Sequence, residues 1–150
     1  MAKVYLSLGT NLGNKEQNLL TAIEHINKRV GKVISSSAFY KTEPWGFNST
    51  HVFLNAAVEV ETNLSPINLL KETQLIEKEM GRTAKSKDKQ YSDRLIDIDI
   101  LLYDNLILNT AELVLPHPLM TQRAFVMEPL VEIAPELVHP VLLKRMREVE

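Results

Sequence analysis

Residues 94–103, Arg-Leu-Ile-Asp-Ile-Asp-Ile-Leu-Leu-Tyr, constrain this chain more than any other segment. On a strand, successive side chains alternate between faces. Asp97 and Asp99 then project from one face, while Ile96, Ile98, Ile100 and Leu102 fill the other. Two carboxylates on neighbouring same-face positions repel each other, and a divalent cation relieves that repulsion. Magnesium prefers oxygen ligands and usually takes one or two carboxylates plus substrate phosphates. The alternative is a strand with a solvated acidic face. Aspartate is depleted in strands, and Arg94 precedes the pair by three residues, so the pattern favours a metal.

The remaining periodicities supply partners for that strand. Val4, Leu6 and Leu8 alternate with Tyr5 and Ser7, which predicts a strand over residues 3–9. A turn follows at Gly9–Gly13. Asn14 and Gln17 have capping-box spacing, and Leu19, Ile23, Ile26 and Val30 fall at helical intervals up to Gly31. Lys32–Lys41 is β-rich and reads as a second strand, with a loop over 42–50. Residues 52–62 read as a third, with Val52, Leu54, Ala56, Val58 and Val60 on one face and Phe53, Asn55, Ala57, Glu59 and Glu61 on the other. Ser65-Pro66 opens a second helix, which runs to about Met80 and is stopped by Gly81. Residues 82–93 are polar and unpatterned, a long loop of the kind that often closes over a ligand. After residue 103, Leu106–Leu108 is expected to form a hairpin with the acidic strand across Asp104-Asn105. The tail is punctuated by Pro116, Pro118, Pro129, Pro135 and Pro140, with helical pieces around 121–134 and 141–148.

The order β-α-β-β-α-β plus a C-terminal extension predicts an α+β fold of ferredoxin-like type: an antiparallel sheet with two helices on one face. Loops or ligand would cover the other face. The 150 residues suffice for a single domain, 1–150, that needs no staples. The chain has no cysteine, which excludes disulfides and thiolate metal sites and fits a reducing compartment. Residues 1–6 enter a strand directly, without a secretory leader, and no apolar stretch spans a bilayer. The expectation is a cytoplasmic monomer without a membrane partner. A net charge of −2 leaves no overall basic footprint for nucleic acid. A small anionic substrate needs only a local cluster of cations.

Such a cluster is available in Arg82, Lys85, Lys87, Lys89, Arg94 and Arg123, although the lysines also read as solvated surface. Guanidiniums at both ends of the 82–93 loop suit a polyphosphate clamp. His117, between Pro116 and Pro118, is either a phosphate donor or a turn residue, whereas His25, His51 and His139 look structural. Phe53 and Asn55 share a face, and an aromatic beside an amide suits a flat hydrogen-bonding heterocycle. A half-buried strand whose Asn bonds to backbone fits equally. Gly9–Lys15 lacks the spacing of a phosphate-binding P-loop.

Taken together, several segments resemble the 6-hydroxymethyl-7,8-dihydropterin pyrophosphokinase family over nearly the whole chain. They are Gly9-Thr10-Asn11-Leu12-Gly13, Phe39-Tyr40-Lys41-Thr42-Glu43-Pro44, residues 53–58, Gly81-Arg82, residues 94–100, Pro116-His117-Pro118 with Arg123 and Phe125, and residues 129–135. The resemblance implies transfer of pyrophosphate from ATP to the pterin hydroxymethyl group in folate biosynthesis, with ATP as co-substrate. It implies that Asp97 and Asp99 hold two Mg²⁺ ions and that Arg82 and Arg94 serve catalysis. Asn55 with Thr42, Pro44 and Trp45 would read the pterin edge, and Phe53 and Phe125 would stack on its ring. Gln74, Glu77, Tyr91, Arg94, Ile100, His117 and Arg123 would contact ATP. The chain departs from the family pattern at Ala84, Ser92-Asp93, Glu112, Val114 and Pro118. Because residues 82–93 are polar and the lysines repel one another, the loop is expected to close only over both ligands.

Overall fold

A computed structural model describes residues 1–42, 52–82 and 95–149. Its elements in chain order are β1 (Ala2–Thr10), α1 (Lys15–Arg29), β2 (Gly31–Ser36), β3 (Tyr40–Thr42), β4 (Phe53–Thr62), α2 (Pro66–Arg82), β5 (Asp97–Tyr103), β6 (Leu108–Asn109), β7 (Val114–Leu115) and α3 (Ala124–Ile133). The main sheet has the order β2-β4-β1-β5, with β3 also on β4, and every described pairing is antiparallel. It is an α+β architecture.

The helix starts follow from their caps. Asn14 accepts the Gln17 amide at 3.1 Å, and Ser65 accepts the Asn68 amide at 3.2 Å. From α1, Leu19, Ala22 and Ile26 turn inward, and from α2, Leu69, Ile76 and Met80. They meet Val4, Leu6 and Leu8 of β1, Leu54, Ala56, Val58 and Val60 of β4, and Ile98 and Ile100 of β5. The alternation expected for β4 and for the start of β5 is therefore the observed one. The opposite sheet face carries a second core, in which Tyr5, Ala57, Leu101 and Leu102 pack against Met120, Val126, Leu130 and Met146. The sequence had suggested loops or ligand over this face. The helix α3 and the segment after it cover this end of it, because they bring apolar side chains of their own.

Five further boundaries differ from the sequence expectation. The helix α1 is capped at Val30, and Gly31 already belongs to β2. The helix α2 runs through Gly81 to Arg82 instead of stopping at Met80. The strand expected over 32–41 is broken after Ser36, because Ser37 turns its backbone and its hydroxyl onto Ala57. Leu108 pairs with Leu115 of β7, so the expected hairpin with β5 is replaced by a separate two-stranded ribbon. The helix expected over 141–148 is only a 3-10 turn at Met146–Glu148.

A register shift also separates Tyr5↔Leu102 from Leu6↔Ile100. Leu101 is the extra residue of a β-bulge, so Leu101 and Leu102 both reach the second core. Leu102 was expected beside Ile100, and the bulge moves it to the other face.

Candidate functional site

Three strand ends meet at one row of the sheet. Gly9 near the end of β1 lies between Asn55 of β4 and Asp97 of β5, and Tyr40 of β3 continues the row beyond Asn55. One step along, Ser7 lies opposite Asp99. Strands stand about 4.8 Å apart, so Asn55 and Asp97 are separated by roughly 10 Å across a residue with no side chain. Asp97 and Asp99 are half-buried, on the face opposite Ile98 and Ile100.

At the Asn55 end the amide is buried. Its Nδ2 donates to the Thr42 hydroxyl at 2.9 Å. A Cβ on Gly9 would stand 3.0 Å from Asn55 Oδ1, so glycine leaves that amide room. The amide is thereby held in one orientation at the sheet surface, with Phe53 two residues earlier on the same face.

At the acidic end, Glu77 of α2 accepts the Ile98 amide at 2.7 Å. This satisfies an outward backbone donor of β5 between the two aspartates. Burial first, joined by the charges of Asp97 and Asp99 and opposed by the Ile98 amide, pushes the Glu77 carboxyl up to about 7. Gln74, Glu77, Lys78, Gly81, Leu95 and Ile96 line an open cavity of about 350 Å³ beside this edge. Among the described residues no three His, Asp or Glu side chains form a ready-made metal cage. Magnesium does not require one, since substrate phosphates and water complete its shell. Two half-buried carboxylates on one strand face, with the Glu77 carboxyl beside them, are the oxygen donors a hard divalent cation takes.

His117 lies within the electrostatic reach of both aspartates and of Arg123. Desolvation lowers its pKa, Asp99 opposes that, and Arg123 reinforces it. Its Nδ1 accepts the Leu119 amide at 3.2 Å, and its own amide donates to the Leu101 carbonyl at 2.9 Å. A neutral imidazole whose Nδ1 accepts carries its hydrogen on Nε2, which makes His117 a donor. Arg123 precedes α3, and its guanidinium sits 5.7 Å from the centre of the Phe125 ring.

The carboxylate of Glu132, near the end of α3, accepts from the Tyr40 hydroxyl at 2.6 Å and from the Ala38 amide at 3.1 and 3.2 Å. Sequence reasoning gave no role to Glu132 or Tyr40 and read Gly9 as the start of a turn, where it lies within β1; all three belong to segments that carry the family resemblance.

The fold thus brings Thr42, Phe53, Asn55, Asp97 and Asp99 to one sheet face, with Glu77 at its edge and His117 and Arg123 in electrostatic range. Gln74 shares the cavity with Glu77. Ile100 does not offer its side chain to a ligand, because it packs in the helix-side core, which leaves only its backbone for ATP. Pro44, Trp45, Tyr91 and Arg94, the polar loop with its expected closure, and the Arg82 side chain lie outside the described residues. His139 is structural as expected, its Nδ1 accepting the amides of Val141 and Leu142.

The model of the 7,8-dihydro-6-hydroxymethylpterin-pyrophosphokinase family matches residues 5–135. A Porphyromonas gingivalis protein named 2-amino-4-hydroxy-6-hydroxymethyldihydropteridine pyrophosphokinase is 52% identical over 93% of this chain and 95% of its own length. One of the same name from Methylorubrum extorquens is 43% identical over 92% and 86%. A Plasmodium falciparum HPPK-DHPS triple mutant, in crystals with SDX-DHP, superposes with a TM-score of 0.80 over 97% of this chain. Its identity is 20%, which speaks for fold alone, and this chain spans only 43% of it. With the sheet row and the matched sequence in agreement, the chain belongs to the 7,8-dihydro-6-hydroxymethylpterin-pyrophosphokinase family.

Proposed function

We propose that this chain transfers the β,γ-pyrophosphoryl group of ATP to the hydroxymethyl oxygen of 6-hydroxymethyl-7,8-dihydropterin, releasing AMP, as a step of folate synthesis. The observation that carries this reading is the row Asn55–Gly9–Asp97. It places an oriented amide and a paired-carboxylate end on one face about 10 Å apart, a span suited to a bicyclic ring whose reacting arm points at a triphosphate.

Asn55 and the backbone around Thr42, Pro44 and Trp45 read the pterin edge, with Phe53 and Phe125 on its faces. The Asn55–Thr42 bond supports this by fixing which amide atoms face the ligand. His117 donates to phosphate from Nε2, and Arg82, Arg94 and Arg123 place guanidiniums on the same groups. Gln74, Glu77 and the Ile100 backbone contact ATP along the cavity edge, and Tyr91 contacts it as well. Two Mg²⁺ ions on Asp97 and Asp99 neutralise the phosphate charge when bound. The hydroxymethyl oxygen attacks the β-phosphorus in line as the bond to the α-phosphate oxygen breaks. Positioning of the two substrates is the main task of these side chains.

The sheet order, with β3 as an added edge piece, supports the ferredoxin-like topology with a C-terminal extension. Two cores on one sheet support a single catalytic domain over 1–150. The enzyme would act as a cytoplasmic monomer on small molecules, without nucleic acid or membrane. The net charge of −2 and a cysteine-free sequence fit that setting.

The test is AMP release from MgATP with and without the hydroxymethyl dihydropterin. AMP should form only with the pterin. Release of ADP, or AMP formation that ignores the pterin, overturns the proposal.

A further inference from the structure

We propose that Glu132 is a positioning residue for the pterin subsite, acting as a tie between α3 and β3. The inference rests on the function proposed above and assigns it a residue that touches no substrate. The strand β3 has three residues, pairs among the described residues with β4 alone, and is cut off from β2 by the break at Ser37. A strand this short is marginal on its own pairing. Yet it carries Thr42, whose hydroxyl orients the Asn55 amide, and Tyr40, which pairs directly with Asn55. Glu132 supplies the missing anchor. One carboxylate takes the Tyr40 hydroxyl and the Ala38 amide, on either side of residue 39. The Tyr40 hydroxyl is held against ionisation first by that bond.

The other end of the tie lies in α3. Phe125 sits seven residues before Glu132, two turns or about 10 Å along the helix. The same helix therefore presents a stacking ring near one end and grips the edge-reading strand near the other. Glu132 fixes the distance between the two parts of the subsite, and nothing in this arrangement touches the nucleotide cavity lined by Gln74 and Glu77.

The test compares wild type, Glu132→Ala, Glu132→Gln, Tyr40→Phe and the double variant Glu132→Ala/Tyr40→Phe. Pterin affinity is measured by calorimetry, KM for each substrate by AMP release, and Tm by scanning. Glu132→Ala should raise the pterin Kd and KM about three- to tenfold, the effect of losing one or two exposed hydrogen bonds to a charged acceptor. KM for ATP should stay within about twofold. Tyr40→Phe should give a smaller rise and add nothing to Glu132→Ala, because both act through one contact. Glu132→Gln keeps one acceptor and should recover part of the loss. Pterin and ATP constants that move together, or pterin binding that does not change, overturn the inference. If Glu132→Ala does not fold, Tyr40→Phe alone decides by the same split. A wild type that makes no AMP with the pterin removes the function on which this rests. A wild type that turns over while the variants bind pterin normally removes only the tie.

Discussion

Burial, helped by the charges of Asp97 and Asp99, pushes the Glu77 carboxyl up to about 7 from an ordinary value near 4.5. Between those values the unfolded chain has released a proton that the folded chain retains, so this group lowers stability as pH rises through that window. Glu77→Gln removes the titration and keeps an acceptor for the Ile98 amide. Without divalent cation, its Tm advantage over wild type should grow from pH 4.5 to 7 and then level off. About 1 kcal/mol, after discounting for partial exposure, corresponds to roughly 2–4 °C. Thermal scans whose difference is flat across that range would contradict the assignment. Asp97→Asn and Asp99→Asn should each cost turnover at least about 100-fold, as loss of a charge that holds the transferring group does. Both should still fold, since neither side chain belongs to a core. Near-normal kcat at saturating Mg²⁺ would exclude a metal role. Asn55→Ala should weaken pterin binding by about 1–3 kcal/mol because it leaves buried partners unpaired. Calorimetry should find ATP binding much less affected. The face on which the aspartates and Asn55 lie was legible in the sequence, because strand alternation gives a residue its side of the sheet. Glu77 was legible only through family resemblance, since its effect depends on which strand α2 lies beside.

At the scale of elements, the passage from α1 to β2 depends on one glycine. A Cβ on Gly31 would collide with the Glu61 carbonyl across the strand pair. Backbone cannot yield as a flexible side chain can, so Gly31→Ala should destabilise by about 2–4 kcal/mol, measurable by urea titration. A loss below 0.5 kcal/mol would mean that the strands separate locally without penalty. The glycine was visible in the sequence as a helix stop, but its true constraint is the neighbouring strand. Ser37 shows the same limit. Its run of β-formers predicts an unbroken strand, and the break comes from a tertiary bond to Ala57. The β6–β7 ribbon was missed because both strands have two residues, too few for any period to register.

Across the whole molecule, one sheet is sandwiched between two cores of different origin. The helix-side core was legible from the 3.6-residue and 2-residue periods. The other was not, because the tail is short of periodic signal and its apolar residues gain meaning only when folded back. Met146 is fully buried there, eleven residues beyond the last residue matched by the family model. Met146→Ala should therefore cost about 2–5 kcal/mol in denaturant unfolding. A cost under 0.5 kcal/mol would make that segment an appendage. The acidic strand joins the two cores, and the bulge at Leu101 is what lets it do so. By inserting one residue, the bulge resets the phase of the strand midway. The odd positions before it carry the acidic pair on the face shared with Asn55, and Leu102 after it packs on the tail. Each half can then change its side chains without forcing the other to turn over, so the face that carries Asp97 and Asp99 is insulated from repacking around Leu102.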